Sequence, residues 1–191
     1  FEKILEDEEE HIDWLETEQF FEQVKKKGVP DLFALTGLLT SFPMVQTLCE
    51  AIKLRFPASK IVVGGRICVM EPRFVFDNIQ TDFIIQGEGE IGMIQLIREL
   101  ENQTENFEDV EGLSYRDSEG HVQSNGEAEP VKQISDYPIP YERFDMGKYI
   151  RLCNIQSPNV PSINILSSRG CPYSCTFCNN SKGKKRVRYY K

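Results

Sequence analysis

Apolar side chains fall at Phe1, Ile4, Leu5, Ile12 and Leu15, a stripe with a period near 3.6 residues that predicts a helix from residue 1 to about 26. Glu8 and His11 lie on the same stripe, and Gly28 followed by Pro30 ends it. Three short apolar runs come next: Leu32–Leu35, Ile61–Val63 and Phe83–Ile85. Each is continuous rather than alternating, the pattern of strands buried on both faces. Between them lie helical patterns. Met44, Val45, Leu48, Cys49 and Ile52 share one face, with Pro43 suited to a first turn, and Met93, Ile94, Ile97 and Leu100 share another. Strand–helix–strand alternation predicts an α/β fold with a parallel sheet and right-handed crossovers.

After residue 103 the pattern changes. Leu113–Arg116, the turn Asp117–Gly120 and His121–Gln123 read as a β-hairpin. Pro138, Pro140, Pro158 and Pro161 mark residues 134–161 as an extended linker, and Ile163–Leu166 reads as a strand leading into a cysteine-rich loop. The expected organisation is an acidic helix (1–22), a partial α/β domain (23–103), a hairpin and linker (104–161) and a final segment (162–191).

With 40% hydrophobic and 27% charged residues, the chain can form an ordinary globular core. It has no apolar run long enough for a membrane helix. A first residue of Phe suggests a trimmed start or a piece of a longer reading frame. The net charge of -8 is unevenly spread: residues 1–22 hold ten Asp/Glu against one Lys, whereas residues 182–191 hold six Lys/Arg and no acid. The basic tail is short and has no helical or aromatic platform, which argues against nucleic acid as its partner. Six Cys, three of them within eight residues, do not form a disulfide framework and fit a reducing, cytoplasmic setting.

The clustered thiols are Cys171, Cys175 and Cys178, spaced C-x3-C-x2-C. One short loop can turn all three toward a common point. Thiolates suit Fe–S clusters, zinc and copper(I). Structural zinc takes four ligands, usually in two separated pairs, and both His lie far off in sequence. Three thiolates on a four-iron cluster leave one iron open. The run Ser167-Ser-Arg-Gly-Cys-Pro-Tyr-Ser-Cys-Thr-Phe-Cys178 resembles the cluster loop of radical S-adenosylmethionine (SAM) enzymes. The resemblance implies a [4Fe-4S] cluster on Cys171, Cys175 and Cys178, with SAM chelating the fourth iron. It places Phe177 near the adenine. It also implies reductive cleavage of SAM, a small-molecule substrate that the sequence does not specify, and an external electron donor of the flavodoxin or ferredoxin type. Only 13 residues follow Cys178, so the barrel that would complete such an enzyme is expected to be missing and the chain alone to be inactive.

The three predicted strands end in Thr36-Gly-Leu38, Gly64-Gly-Arg66 and Gly87-Glu-Gly-Glu90. Ligands in α/β sheets bind beyond the carboxyl ends of strands, and Gly there lets backbone approach closely; ordinary βα turns also use Gly. Residues 28–191 as a whole are similar to the cobalamin-binding domain that precedes many radical SAM cores. That similarity makes the sheet a partial Rossmann-like domain of the cobalamin-binding type. It puts Thr36, Leu38, Gly64, Gly65, Gly87 and Glu88 at a possible cobalamin edge, with Glu90 in a helix first turn. The Asp-x-His-x-x-Gly loop of that family, with its cobalt-ligating His, is expected before Thr36 and does not occur.

Residues 4–16 resemble the last main helix of bacterioferritins, which would make Glu8 and His11 di-iron ligands; the plain alternative is an acidic helix with a partly exposed His. The expected function is therefore a fragment of a radical SAM enzyme, cobalamin-dependent methyl transfer included. A non-catalytic binding remnant and a bacterioferritin-like iron-binding fusion are the alternatives.

Overall fold

The computed structural model describes residues 18–147, 150, 165–173, 175–178 and 187–191. Glu8 and His11 lie outside them, as do residues 1–17 of the expected acidic helix; residues 18–27 form helix α1. The chain divides into two compact units, one up to Glu129 and one from Pro130 onward. No helix among the described residues is long and apolar enough to cross a membrane.

The first unit is built on a five-stranded sheet in the order β1 (Leu32–Gly37), β2 (Lys60–Gly65), β3 (Phe83–Ile85), β4 (Leu113–Arg116), β5 (Val122–Ser124). The first three strands are parallel, as expected of an α/β fold. The β4–β5 hairpin extends the same sheet in antiparallel fashion, with Ile85 opposite Leu113. Helices α2 (Phe42–Arg55), α3 (Pro72–Asn78) and α4 (Gly89–Asn102) fill the connections. The seven-residue α3 was not anticipated; Pro72 starts it and the Glu71 side chain accepts from Phe74 N–H at its N-terminus.

Strand parity sends side chains to two cores. Phe33, Ile61, Val63 and Ile84 pack with Val45, Cys49 and Ile52 of α2, Val75 and Phe76 of α3, and Phe21 of α1. Arg55 lies over the Phe21 ring, 4.4 Å from its centroid, and pairs with Glu18, which ties α1 to α2. On the opposite face Val62, Phe83, Ile85, Leu113 and Tyr115 pack with Leu96 of α4. Two helical faces differ from expectation. Met44, Ile94 and Ile97 are exposed, because α2 turns Val45, Cys49 and Ile52 inward and α4 turns Gly92 and Leu96 inward.

The amino ends of the strands are fastened by Asp82. Its Oδ2 accepts from Lys53 Nζ (2.6 Å) and Ile61 N–H (2.7 Å). Lys53 also donates to Ser59 C=O, and Ser59 Oγ donates to Pro30 C=O. One carboxylate therefore links α2, β2 and β3. Strand β1 is paired only with β2 among the described residues. Lys60 N–H donating to Asp31 C=O sets the alternation, so the N–H and C=O groups of Leu32, Ala34 and Thr36 face away from β2.

In the second unit, β6 (Ser168–Arg169) pairs antiparallel with β7 (Arg188–Tyr189), and Tyr190 N–H donates to Ser167 C=O. The strand expected at Ile163–Leu166 is corrected accordingly. Ile165 and Leu166 are not in a strand, and residues 163–164 lie outside the described set. The ladder falls at Ser168–Arg169 because β7, which carries no hydrophobic signature long enough to announce it, supplies the only partner described. Within the expected linker, Ile134–Asp136 and Tyr141–Arg143 are single 3-10 turns.

Gly92 is where α4 meets the loop before β4: a Cβ there would sit 2.2 Å from Glu111 C=O. Ala gains about 0.5–1 kcal/mol of helix propensity over Gly, but overpacking of this kind costs about 1–3 kcal/mol. Gly92→Ala should therefore lower Tm in a thermal melt. Burial pushes the thiols of Cys49 and Cys68 up to about 12, and Cys68 also donates to Val63 C=O. Since the thiolate is the reactive form, iodoacetamide at neutral pH should modify exposed Cys175 and leave Cys49 and Cys68 intact until denaturant is added; peptide mass spectrometry reads the difference.

Candidate cofactor sites

At the carboxyl ends of β1, β2 and β3 the first unit has a cavity of about 240 Å³, lined by Ala34, Thr36, Gly64, Gly65, Gly87 and Met93 among others. Sequence and register together make it. Parity puts Ala34 and Thr36 on the α4 side of β1, and Thr36 stands beside Gly64 across the ladder. Gly64 offers no side chain, and a Cβ added there meets nothing nearer than 4.0 Å. Helix α4 covers β3 and β4 but leaves Ala34 and Thr36 exposed. The expectation of strands buried on both faces holds for β3 and most of β2, and fails for β1.

Two of the glycines are required by backbone geometry. Gly65 has φ +81°, and a Cβ would lie 2.3 Å from Thr36 Oγ1. Gly87 has φ +89°, with a Cβ position 2.8 Å from Ala128 C=O. Gln86 holds that second turn in place. Its N–H donates to Gly112 C=O, its C=O accepts from Ala128 N–H, and its side-chain Nε2 donates to Cys68 C=O at 3.0 Å. Of the six residues expected at this edge, Thr36, Gly64, Gly65 and Gly87 come together. Leu38 and Glu88 do not line the cavity. Leu38 lies past the end of β1 and is 61% exposed, and Glu88 is the half-buried residue just before α4. Glu90 occupies the first turn of α4, as expected. Sequence reasoning missed Ala34 and Met93. Ala34 could have been found as the small residue two positions before Thr36, on the same strand face.

The volume limits what can enter. Whole-ligand pockets run to about 300–1,000 Å³, so this cavity suits one part of a larger molecule. Its walls are largely apolar side chains and glycine backbone, which recognise shape rather than charge.

The cysteine loop belongs to the second unit. Gly170 at φ +98° turns the chain out of β6, and Cys178 N–H donates to Cys175 C=O at 3.1 Å, forming a tight turn around Thr176 and Phe177. Cys171 and Cys178 are half-buried, Cys175 is exposed and Phe177 is 91% exposed; none of the three thiols is in a disulfide. Among the described residues no three His, Cys, Asp or Glu side chains are gathered as a metal site. Cys171, Cys175 and Cys178 share one loop, a thiolate donor set with the right chemistry for an Fe–S cluster, and metal binding and local folding are coupled at such sites.

No protein-family model matches the chain. An uncharacterised methyltransferase from Pyrococcus horikoshii is 28% identical over 161 residues, 83% of this chain and 33% of the relative. The cobalamin-dependent radical SAM methyltransferase TokK from Streptomyces tokunonensis is 26% identical over 151 residues, 78% of this chain and 22% of the relative. Among solved structures, the cobalamin-dependent SAM radical enzyme OxsB with aquacobalamin and SAM bound superposes with a TM-score of 0.71 at 22% identity, over 91% of this chain and 23% of OxsB. The chain spans about a third or less of the length of these relatives. It is thus similar in sequence to a cobalamin-dependent radical SAM methyltransferase, and it shares the fold of part of a cobalamin-dependent radical SAM enzyme.

Proposed function

We propose that this chain carries the cluster loop and part of the cobalamin-binding fold of a radical SAM enzyme whose relatives transfer methyl groups. The observation that carries the reading is the C-x3-C-x2-C loop, all three thiols lying in sequence between the paired strands β6 and β7. In this reading residues 23–103 belong to the cobalamin-binding domain and residues from 162 begin the SAM core.

Cys171, Cys175 and Cys178 would hold three irons of a [4Fe-4S] cluster and leave the fourth for the amino and carboxylate groups of SAM. The bound cluster supplies the electron that cleaves SAM. Phe177, exposed beside the last thiol, offers a face to the adenine. Thr36, Gly64, Gly65 and Gly87 would receive the nucleotide tail of cobalamin, which suits a cavity too small for a whole corrinoid. Leu38 and Glu88 flank that tail site in sequence. The substrate is a small molecule, and the electron comes from a separate donor of the flavodoxin or ferredoxin type.

Anaerobic reconstitution with iron and sulfide should give a brown protein with about four irons per chain. Replacing Cys171, Cys175 and Cys178 together with Ala should abolish colour and iron uptake. A colourless wild-type protein holding one tight zinc would refute the cluster. Gly64→Val tests the cavity separately. Val favours strand structure and has open space at this position, so the variant should melt no lower than the wild type. It fills the cavity, so whatever retention of hydroxocobalamin the wild type shows in a spin-filtration assay should be lost.

A further inference from the structure

The first unit has a second cavity, at the amino ends of β2 and β3, that neither cofactor reading uses. It measures about 540 Å³, within the range of whole-ligand pockets. Its inner wall is aromatic. Phe83 stands directly opposite Tyr115 across the β3–β4 ladder, and Phe107 packs on both rings at centroid distances of 5.1 and 5.3 Å. Tyr115 is 9% exposed, yet its hydroxyl has no hydrogen-bond partner among the described residues. A phenol this buried ordinarily finds one. Burial, and after it the charges of Glu108 and Asp117, raise its pKa, so at neutral pH it stays an intact O–H.

The charge around this wall is negative. Asp82, Glu105, Glu108 and Asp117 line the cavity against Lys60 and Arg116. Both cations are engaged with carboxylates, Lys60 with Asp82 at 3.6 Å and Arg116 with Asp77 at 3.0 Å. Asp117 is taken up by the hairpin turn, where it accepts from the N–H groups of Glu119 and His121 and from Gln123 Nε2. Glu105 and Glu108 have no ion pair among the described residues. The loop that presents them is held in place: Glu99 accepts from Thr104 Oγ1 and Asn106 N–H, and Asn125 Nδ2 donates to Phe107 C=O. An aromatic wall with an unused hydroxyl, faced by two unpaired carboxylates, matches a cation that carries an apolar body.

We propose that this cavity binds a small organic amine in its protonated form, with the ammonium held by Glu105, Glu108 and the Tyr115 hydroxyl and the apolar body lying against Phe83 and Phe107. The ammonium donates to the two carboxylates and to the Tyr115 oxygen, and no bond forms or breaks. A bare metal ion would also meet the carboxylates but would gain nothing from the aromatic wall. The inference does not rest on the cluster reading, whose cysteines lie in the other unit.

The test titrates the full chain with phenethylammonium chloride in a calorimeter, with 2-phenylethanol as the neutral molecule of the same shape and calcium chloride as the bare cation. The amine should bind saturably with a Kd below about 1 mM, and the alcohol at least about fivefold more weakly. Tyr115→Phe should weaken the amine about three- to tenfold and melt no lower than the wild type, because the hydroxyl it removes has no partner to lose. Glu105→Gln/Glu108→Gln should weaken the amine about tenfold and flatten its dependence on salt between about 20 mM and about 500 mM NaCl. Glu50→Gln/Glu101→Gln, two exposed acids away from the cavity lining, should leave the affinity unaltered. In an amide NMR titration, the largest shifts should fall at Phe107 and Tyr115. Equal affinity for amine and alcohol, an affinity unchanged in Tyr115→Phe, or equal losses in the two double variants overturns the amine site. Calcium binding tighter than the amine overturns it in favour of a metal, and no saturable binding by about 10 mM amine overturns it outright.

Discussion

A parallel sheet needs cover on both faces, and in this chain the cover is unequal. Helices α1, α2 and α3 lie over one face of β1–β3, and their side chains close a continuous core from Phe21 to Ile84. Among the described residues the other face is covered by α4 with Phe107 and Val110 beside it, and this cover sits over β3 and β4. The shortfall at β1 and β2 leaves small residues, Ala34, Thr36 and Gly64, facing open space. The cavity is thus the uncovered remainder of a sheet whose other parts are packed. Asp82 anchors the strands at their amino ends, while Gln86 fixes the turn beyond β3 at the carboxyl side, so the cavity lies between two hydrogen-bonded ends of the sheet.

Much of this was legible in the sequence. The runs around Leu32–Leu35, Ile61–Val63 and Phe83–Ile85 announced three parallel strands through their unbroken apolar character, although β1 is an edge strand with one open face. The glycines at 64, 65 and 87 marked the edge where the cavity lies through their position at the ends of those strands. Some features were not legible, for definite reasons. Leu38 follows the same pattern as Thr36, yet the chain leaves the strand at Gly37, and one residue past a strand end is enough to change where a side chain stands. Met44 and Ile94 satisfy a helical period on paper, but which arc of an apolar stripe is buried depends on where the neighbouring sheet lies. The β6–β7 ladder joins segments about twenty residues apart through two pairs, and no local periodicity reports so short a contact.

The cysteine loop illustrates a different limit. Its spacing names the donor set but not the positions the thiols take up. The ladder beside the loop and the turn from Cys175 to Cys178 are set by backbone pairing. Where a metal binds, binding and local folding are coupled, so the geometry of such a site is not written in spacing alone.

Strand β1 bears on how the molecule behaves in a test tube. The outward amide and carbonyl groups of Leu32, Ala34 and Thr36 form an edge with no lysine, proline or bulge to discourage a visiting strand. At the concentrations needed for spectroscopy, such an edge is a place for chains to add to one another. Among the described residues these six backbone groups form the open row of the sheet on the β1 side, a route to self-association that adds to whatever surface charge does.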